Sequence, residues 1–556
     1  MPTIRRVAKG SGKLAALCLP LFHATPALAA QSAAIVWGPC DAQLVGDIPA
    51  HLTTRLECGT FRAPLDHIQP DGRSIDVGVV RARAMRPDLR EGAIFVNVGG
   101  PGSNPARLVR SIAATWSRED PFDADTADKV RLAERFDLVA VIPRGLEGGH
   151  VYRCLTGLPP RFAFLPSHLD DANWNLVLDE ATAQARTCAA PPEARYINTE
   201  QHVHDMDAVR RSLGDDKLHL YGISYGGRVG AWYAATYPTH VGRMLLDSSM
   251  RFTQGFLEAG ELMRAALRKD FQRVLAPIVA DPTRYGLPAD SAAIATSLQD
   301  LPGRAREAWH PYLDTPPRVA AALWLADWMR ASDPGSRTQL EGRIRRQVFS
   351  SDPSLNGAIR WAALQLADRY FAPVRTGPEF GAGQDGDSVR RAVGCNDDAW
   401  SANDVAIREH AVRNAARDLH SDGEEILEEL VCARWPHPRA RVPNLDTVGD
   451  APRFLLLQAE HDLVTPIEGA RALLARYANA TLLVARRSAV HGLFNFTTSS
   501  CIERTASRYL LDGTLPDSPS GELHCGGATE SPVSALPHTT TTTTPTTPAA
   551  APHDEI

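Results

Sequence analysis

The stretch Leu218–Asp247, LHLYGISYGGRVGAWYAATYPTHVGRMLLD, constrains the fold more than any other part of the chain. It reads as a short apolar strand, a tight turn between glycines, a helix, and a second apolar strand. At the turn stands Gly222-Ile223-Ser224-Tyr225-Gly226, a G-x-S-x-G set between strand and helix. Small residues on either side let the backbone reverse sharply while the serine is held strained, its Oγ projecting from the top of a sheet. An ordinary glycine turn can carry the same letters, but a legible strand before and helix after favour a nucleophile. Such a serine requires a base, an acid to orient the base, and N–H groups to receive developing negative charge.

The surrounding chain alternates strands with helices. Ser74–Arg83 alternates as an edge strand would. Gly92–Val98 and Phe136–Ile142 are unbroken apolar runs of the kind buried on both faces of a parallel sheet. The first empties into Gly99-Gly100-Pro101-Gly102-Ser103, a turn able to present bare backbone N–H groups to an anion, although a plain turn would look alike. Residues 173–212 read as helical, and from about 254 to 440 helical periodicity dominates, with tryptophans at 309, 324, 328 and 361. Those aromatics are expected in a core before a pocket, and the Gly377–Asp387 run as a loop. Strands resume at Arg453–Gln458, and the last is expected near Thr481–Arg486. The fold expected is α/β: a mostly parallel sheet covered on both faces, interrupted by a helical lid. The divisions are 1–29 leader, 30–253 first core segment, 254–440 lid, 441–527 second core segment and 528–556 a Thr/Pro/Ala tail too polar to bury a core.

Asp462 follows the strand ending near Gln458, and His491 follows the strand ending near Arg486. Both loops belong to the sheet edge that carries the serine, and the order Ser224, Asp462, His491 is that of an α/β-hydrolase. Asp247, at the end of the strand after the serine's helix, is a rival acid; Glu460 and His461 are weaker rivals. A surface histidine is the bland alternative for His491. For the oxyanion donors the candidates are the backbone N–H groups of Gly100 and Tyr225, since Pro101 has none.

Arg5, Arg6, Lys9 and Lys13, then the apolar Leu14–Ala24, then Ala27-Leu28-Ala29 have the order of a cleavable export signal. The formal charge of −6 becomes about −10 once that segment is gone, which gives no reason to expect a nucleic-acid partner. Nothing after the leader approaches a membrane span. Eight cysteines remain in four sequence-local couples: Cys40–Cys58, Cys154–Cys188, Cys395–Cys432 and Cys501–Cys525. Pairing within each couple is the expectation, out of the 105 connectivities that eight cysteines allow. A periplasmic or extracellular address follows. No zinc spacing or cofactor motif is present, so neither metal nor cofactor is expected.

Taken together, GGPGS at 99–103, FDLVAVIPRG at 136–145, DMDAVRRSLG at 205–214, YGISYGGRVGAWYAATYP at 221–238, RMLLD at 243–247, DLVTP at 462–466 and HG at 491–492 resemble one family. So do the cysteine contexts CND at 395–397 and CARWP at 432–436. They are similar to the tripeptidyl-aminopeptidase-like branch of the prolyl aminopeptidase family of α/β-hydrolases. The resemblance implies an exported serine exopeptidase that removes an N-terminal residue or short peptide from substrates with a free N-terminus. It implies Ser224 as nucleophile, Asp462 as acid and His491 as base, with lid acids such as Asp397 holding the substrate amine. Ile142, and Leu146–His150 after Pro143-Arg144-Gly145, depart from the family pattern near the expected pocket rim. A carboxylesterase or lipase-like hydrolase, or a non-catalytic binding protein on this fold, are the alternatives.

Overall fold

A computed structural model describes residues 34–154, 169–287 and 294–526, apart from 295, 299, 302, 310–311, 332–334, 373–383 and 418–422. The leader expected at 1–29 and the tail expected at 528–556 lie outside those residues.

The long apolar runs become strands because only burial on both faces hides them from water. Among the described residues, ten strands form one sheet: β1 (Val36–Gly38), β2 (Leu56–Pro64), β3 (Ser74–Ala82), β4 (Gly92–Asn97), β5 (Phe136–Val141), β6 (Leu218–Ile223), β7 (Val241–Asp247), β8 (Phe454–Ala459), β9 (Ala480–Ala485) and β10 (Glu522–Cys525). Their spatial order is β1-β2-β3-β5-β4-β6-β7-β8-β9-β10. The pairs β1/β2, β2/β3 and β3/β5 are antiparallel. From β5 to β10 every pair is parallel. Every residue of β4, β5, β8 and β9 is buried.

Alternation along β6 shows both faces covered. Leu220 packs under Gly230 of the helix Gly226–Thr236. The next residue, Tyr221, points the other way and packs edge-on against Phe494, which also touches Trp116 of the helix Ala106–Trp116.

Two expectations change. Ser74–Arg83 was expected at an edge, yet β3 lies inside the sheet between β2 and β5, with Val77, Val79 and Val80 buried. The edge on that side is the three-residue β1. The strand near 481–486 is not the last: β10 runs parallel to it, and the Cys501–Cys525 disulfide ties β10 to the helix Ser500–Asp512. The other bridges are Cys40–Cys58, Cys154–Cys188 and Cys395–Cys432.

The chain between β7 and β8 is helical, in two parts. Helices from Phe256–Ala280 to Pro353–Phe371 enclose a core of their own that includes Trp309, Trp328, Phe349 and Leu366. Trp309 is fully enclosed, whereas Trp361 is 59% exposed. Helices Gln384–Asp397, Asp404–Arg417 and Glu424–Ala433 instead extend the main core through Val389, Val393, Ile407 and Leu430. Most of the run expected as a loop at 377–387 falls outside the described residues, and Gln384–Asp387 open a helix. Ile142 and Leu146, expected near a rim, are both buried, and the Leu146–His150 segment lies along β3, where Gly149 abuts the Asp76 carbonyl.

Candidate active site

Ser224 leaves β6 with φ of +59°, a left-handed conformation that an ordinary side chain occupies at a cost of roughly 1–3 kcal/mol. The turn is held from both sides. Ser224 N–H donates to the Asp247 carbonyl at 2.9 Å, and the Met250 N–H donates to the Ser224 carbonyl at 3.1 Å. The flanking glycines are required by close approach: a Cβ at Gly222 would lie 2.6 Å from the Gly226 carbonyl oxygen, and one at Gly226 would lie 2.8 Å from that of Asn97. The loop after β4 presses on the same turn, since a Cβ at Gly99 would sit 2.4 Å from the Ile223 oxygen and 3.0 Å from Ser224 Cβ. Among the described residues, neither the Gly100 nor the Tyr225 N–H donates to a protein acceptor.

Asp462 and His491 are brought together. His491 Nδ1 lies 2.9 Å from Asp462 Oδ2. That carboxylate is 2% exposed and otherwise saturated: its Oδ1 accepts the N–H groups of Val464 and Thr465, and its Oδ2 accepts Gln458 Nε2 and the Thr465 hydroxyl. These donors hold the carboxylate in one orientation with Oδ2 directed at His491, which fixes the Nδ1–H tautomer of His491 and leaves Nε2 as the basic nitrogen. Burial disfavours the imidazolium, but the hydrogen bond and charge of Asp462 outweigh it, and the His491 pKa is raised. The histidine loop lies against the serine turn, for Gly492 packs on Ile223 and its N–H donates to Ser248 Oγ at 2.8 Å.

Asp247 serves this loop in another way. It is fully buried and accepts the backbone N–H groups of Leu493 and Phe494 at 2.8–2.9 Å, two and three residues beyond His491. Burial pushes its pKa up to about 6 against those donors. Glu460 accepts the Arg487 N–H at 2.8 Å and faces away toward Arg486. Asp397 is also fully enclosed: Oδ1 accepts the Thr199 N–H at 3.0 Å, Oδ2 the Thr199 hydroxyl, and the Arg228 guanidinium stands 3.7 Å off. It offers no surface to solvent, and burial raises its pKa to about 6.

Sequence reasoning passed over Asn97, Thr199, His202, Gln458 and Thr465, which hold these groups rather than form them. Only Thr465, inside DLVTP at 462–466, belongs to a motif; Asn97 and Gln458 stand in the apolar strand runs Gly92–Val98 and Arg453–Gln458, where a lone amide is the local signal. Among the described residues, no group of three His, Cys, Asp or Glu side chains could hold a metal ion.

A family model described as a TAP-like protein matches residues 422–524, the segment holding Asp462, His491 and β8–β10. Tripeptidyl aminopeptidase of Streptomyces coelicolor is 26% identical over 533 residues, covering 88% of this chain and 86% of that protein. The chain has the α/β-hydrolase fold and is similar to tripeptidyl-aminopeptidase-like proteins. This hydrolase is also similar to serine protease Hip1 of Mycobacterium tuberculosis, 25% identical over 84% of this chain and 86% of the relative. Carboxylesterase B of the same organism is 27% identical, over 86% and 88%. Peptidases and an esterase share the serine-hydrolase class, and the hydrolase belongs to that class.

Proposed function

We propose that this is an exported serine aminopeptidase that releases an N-terminal residue or short peptide through an acyl-enzyme on Ser224. The observation that carries the reading is the saturated Asp462 hydrogen-bonded to His491, on a loop packed against the strained Ser224 turn. Ser224 Oγ attacks the scissile carbonyl as His491 takes its proton. His491 then gives that proton to the departing amine, and water repeats the cycle to free the acid. The N–H groups of Gly100 and Tyr225 receive the oxyanion, and each such donor typically supplies about 10²–10³ in rate. Similarity to a tripeptidyl aminopeptidase supports a peptide substrate with a free N-terminus, and the four disulfides support an oxidising, extracytoplasmic address.

Aminoacyl- to tetrapeptidyl-arylamides, each with free and acetylated N-termini, test this directly. Turnover of the free-amine series alone is expected, and Ser224→Ala should abolish it while leaving the melting temperature unchanged. The similarity to carboxylesterase B favours a second reading, an esterase with the same serine. Indifference to acetylation together with faster cleavage of simple acyl esters would select it. Failure to label with a fluorophosphonate would instead leave a binding protein.

A further inference from the structure

Both arms of the proposed oxyanion hole lead back to one turn of one helix. The helix Thr199–Ser212 carries Thr199 and His202, three residues apart and therefore on one face. Thr199 Oγ1 bonds the phenol of Tyr225, and its own hydroxyl proton goes to Asp397 Oδ2, so the Tyr225 hydroxyl is the donor in the first bond. Tyr225 is the residue whose backbone N–H forms one arm. Its ring is buried, 5% exposed, so the phenol anchor and the N–H move as one unit.

The second arm runs through Asn97. Its Oδ1 accepts the Gly99 N–H at 3.0 Å, which fixes the amide so that Nδ2 faces His202. Nδ2 lies 3.2 Å from His202 Nε2, and an amide nitrogen can only donate, so Nε2 is the acceptor. The ring must then be neutral, which agrees with a pKa that burial lowers to about 4. Pro101, Gly102, His202 and Tyr225 line one small cavity of about 10 Å³, so the two arms meet behind the site. Asp397 fixes the brace itself by accepting the Thr199 N–H in the helix's first turn.

We infer that Thr199 and His202 are positioning residues that hold the two oxyanion donors in register, Thr199 through Tyr225 and His202 through Asn97 and Gly99. This rests on the serine-hydrolase mechanism above. It makes the first turn of this helix part of transition-state recognition, although neither side chain touches substrate.

The test compares Thr199→Val, Tyr225→Phe and His202→Leu with the conservative Thr199→Ser and His202→Gln, which keep an acceptor in place. Three quantities are read: kcat and KM on the best arylamide, inhibition by phenylboronic acid, whose tetrahedral serine adduct places an oxygen in the oxyanion hole, and Tm. The first three variants should lose about 10–100-fold in kcat, with KM within twofold, and bind the boronic acid correspondingly more weakly. The conservative pair should recover most of both. Should His202→Leu fail to fold, Thr199→Val and Tyr225→Phe carry the test, because each removes only a methyl-sized polar group. Variants that lower Tm yet keep kcat and boronate affinity within twofold would overturn the inference. Ser224→Ala separates the two levels. If it is inert while the braces prove neutral, only the positioning role falls; if it stays active, the mechanism falls with it.

Discussion

At the scale of single residues, the arrangement around His491 makes a pH prediction with a definite sign. A general base works only when unprotonated, and the His491 pKa is raised above its ordinary value of about 6.5 by Asp462. The acid limb of kcat/KM should therefore lie above that value, with activity rising as pH climbs through it. Asp462→Asn should move the limb down and cut kcat on the order of 10³–10⁴-fold, measured as a pH–rate profile. Asp247 should behave differently. Asp247→Ala strands the buried N–H groups of Leu493 and Phe494, at about 1–3 kcal/mol each, so the urea midpoint should fall sharply. Asp247→Asn keeps an acceptor and should retain most of kcat, whereas a catalytic acid would not tolerate the change. Sequence could name Asp247 as a rival acid because it ends an apolar strand as Asp462 follows one. It could not assign its partners, because main-chain N–H groups leave no mark in the letters.

At the scale of elements, His410 pins the inserted helices together. Its Nδ1 lies 2.8 Å from Glu429 and its Nε2 2.5 Å from Glu261, with Asn414 alongside and Arg264 between Glu261 and Glu425. Both ring nitrogens can donate only in the imidazolium. The Glu429 bond leads in raising the pKa, burial opposes, and Glu261 adds to the rise. A raised histidine pKa contributes stability that is complete below about 6.5 and disappears as pH rises through the folded value. His410→Ala should thus lower stability by on the order of 1–3 kcal/mol at pH 6 and by much less at pH 9, read from paired melting curves. Element by element, the strands buried on both faces were plain in the sequence, since their apolar runs admit no other placement. The strand β3 was misjudged because alternation at Ser74–Asp76 hides the continuous Val77–Val80 that follows. The strand β10 was missed because Glu522-Leu523-His524-Cys525 has one clear apolar residue and owes its place to Cys501. The pair Thr199 and His202 looked like any helix face, since its meaning depends on a turn that lies elsewhere in the chain.

For the whole molecule, the disulfides close short loops, with sequence separations of 18, 34, 37 and 24 residues. Each loop of that size is worth about 3 kcal/mol in the chain-entropy account, so dithiothreitol should lower Tm by well over ten degrees. The insertion also bears on how the protein reaches this state. In the sheet β7 and β8 are neighbours, yet roughly two hundred residues intervene, and closing so long a loop is slow. The segment between Phe271 and Ala367 has its own core and can collapse without waiting for that closure. Ser224 precedes the gap, whereas Asp462 and His491 follow it. After dilution from denaturant, helical circular dichroism should return first and hydrolytic turnover last, so the time course of activity is a clock for the final strand pairing. A ribosome or translocase that releases the chain before β8 yields a polypeptide bearing Ser224 without the proposed acid and base, so hydrolysis waits until the residues from β8 through His491 arrive.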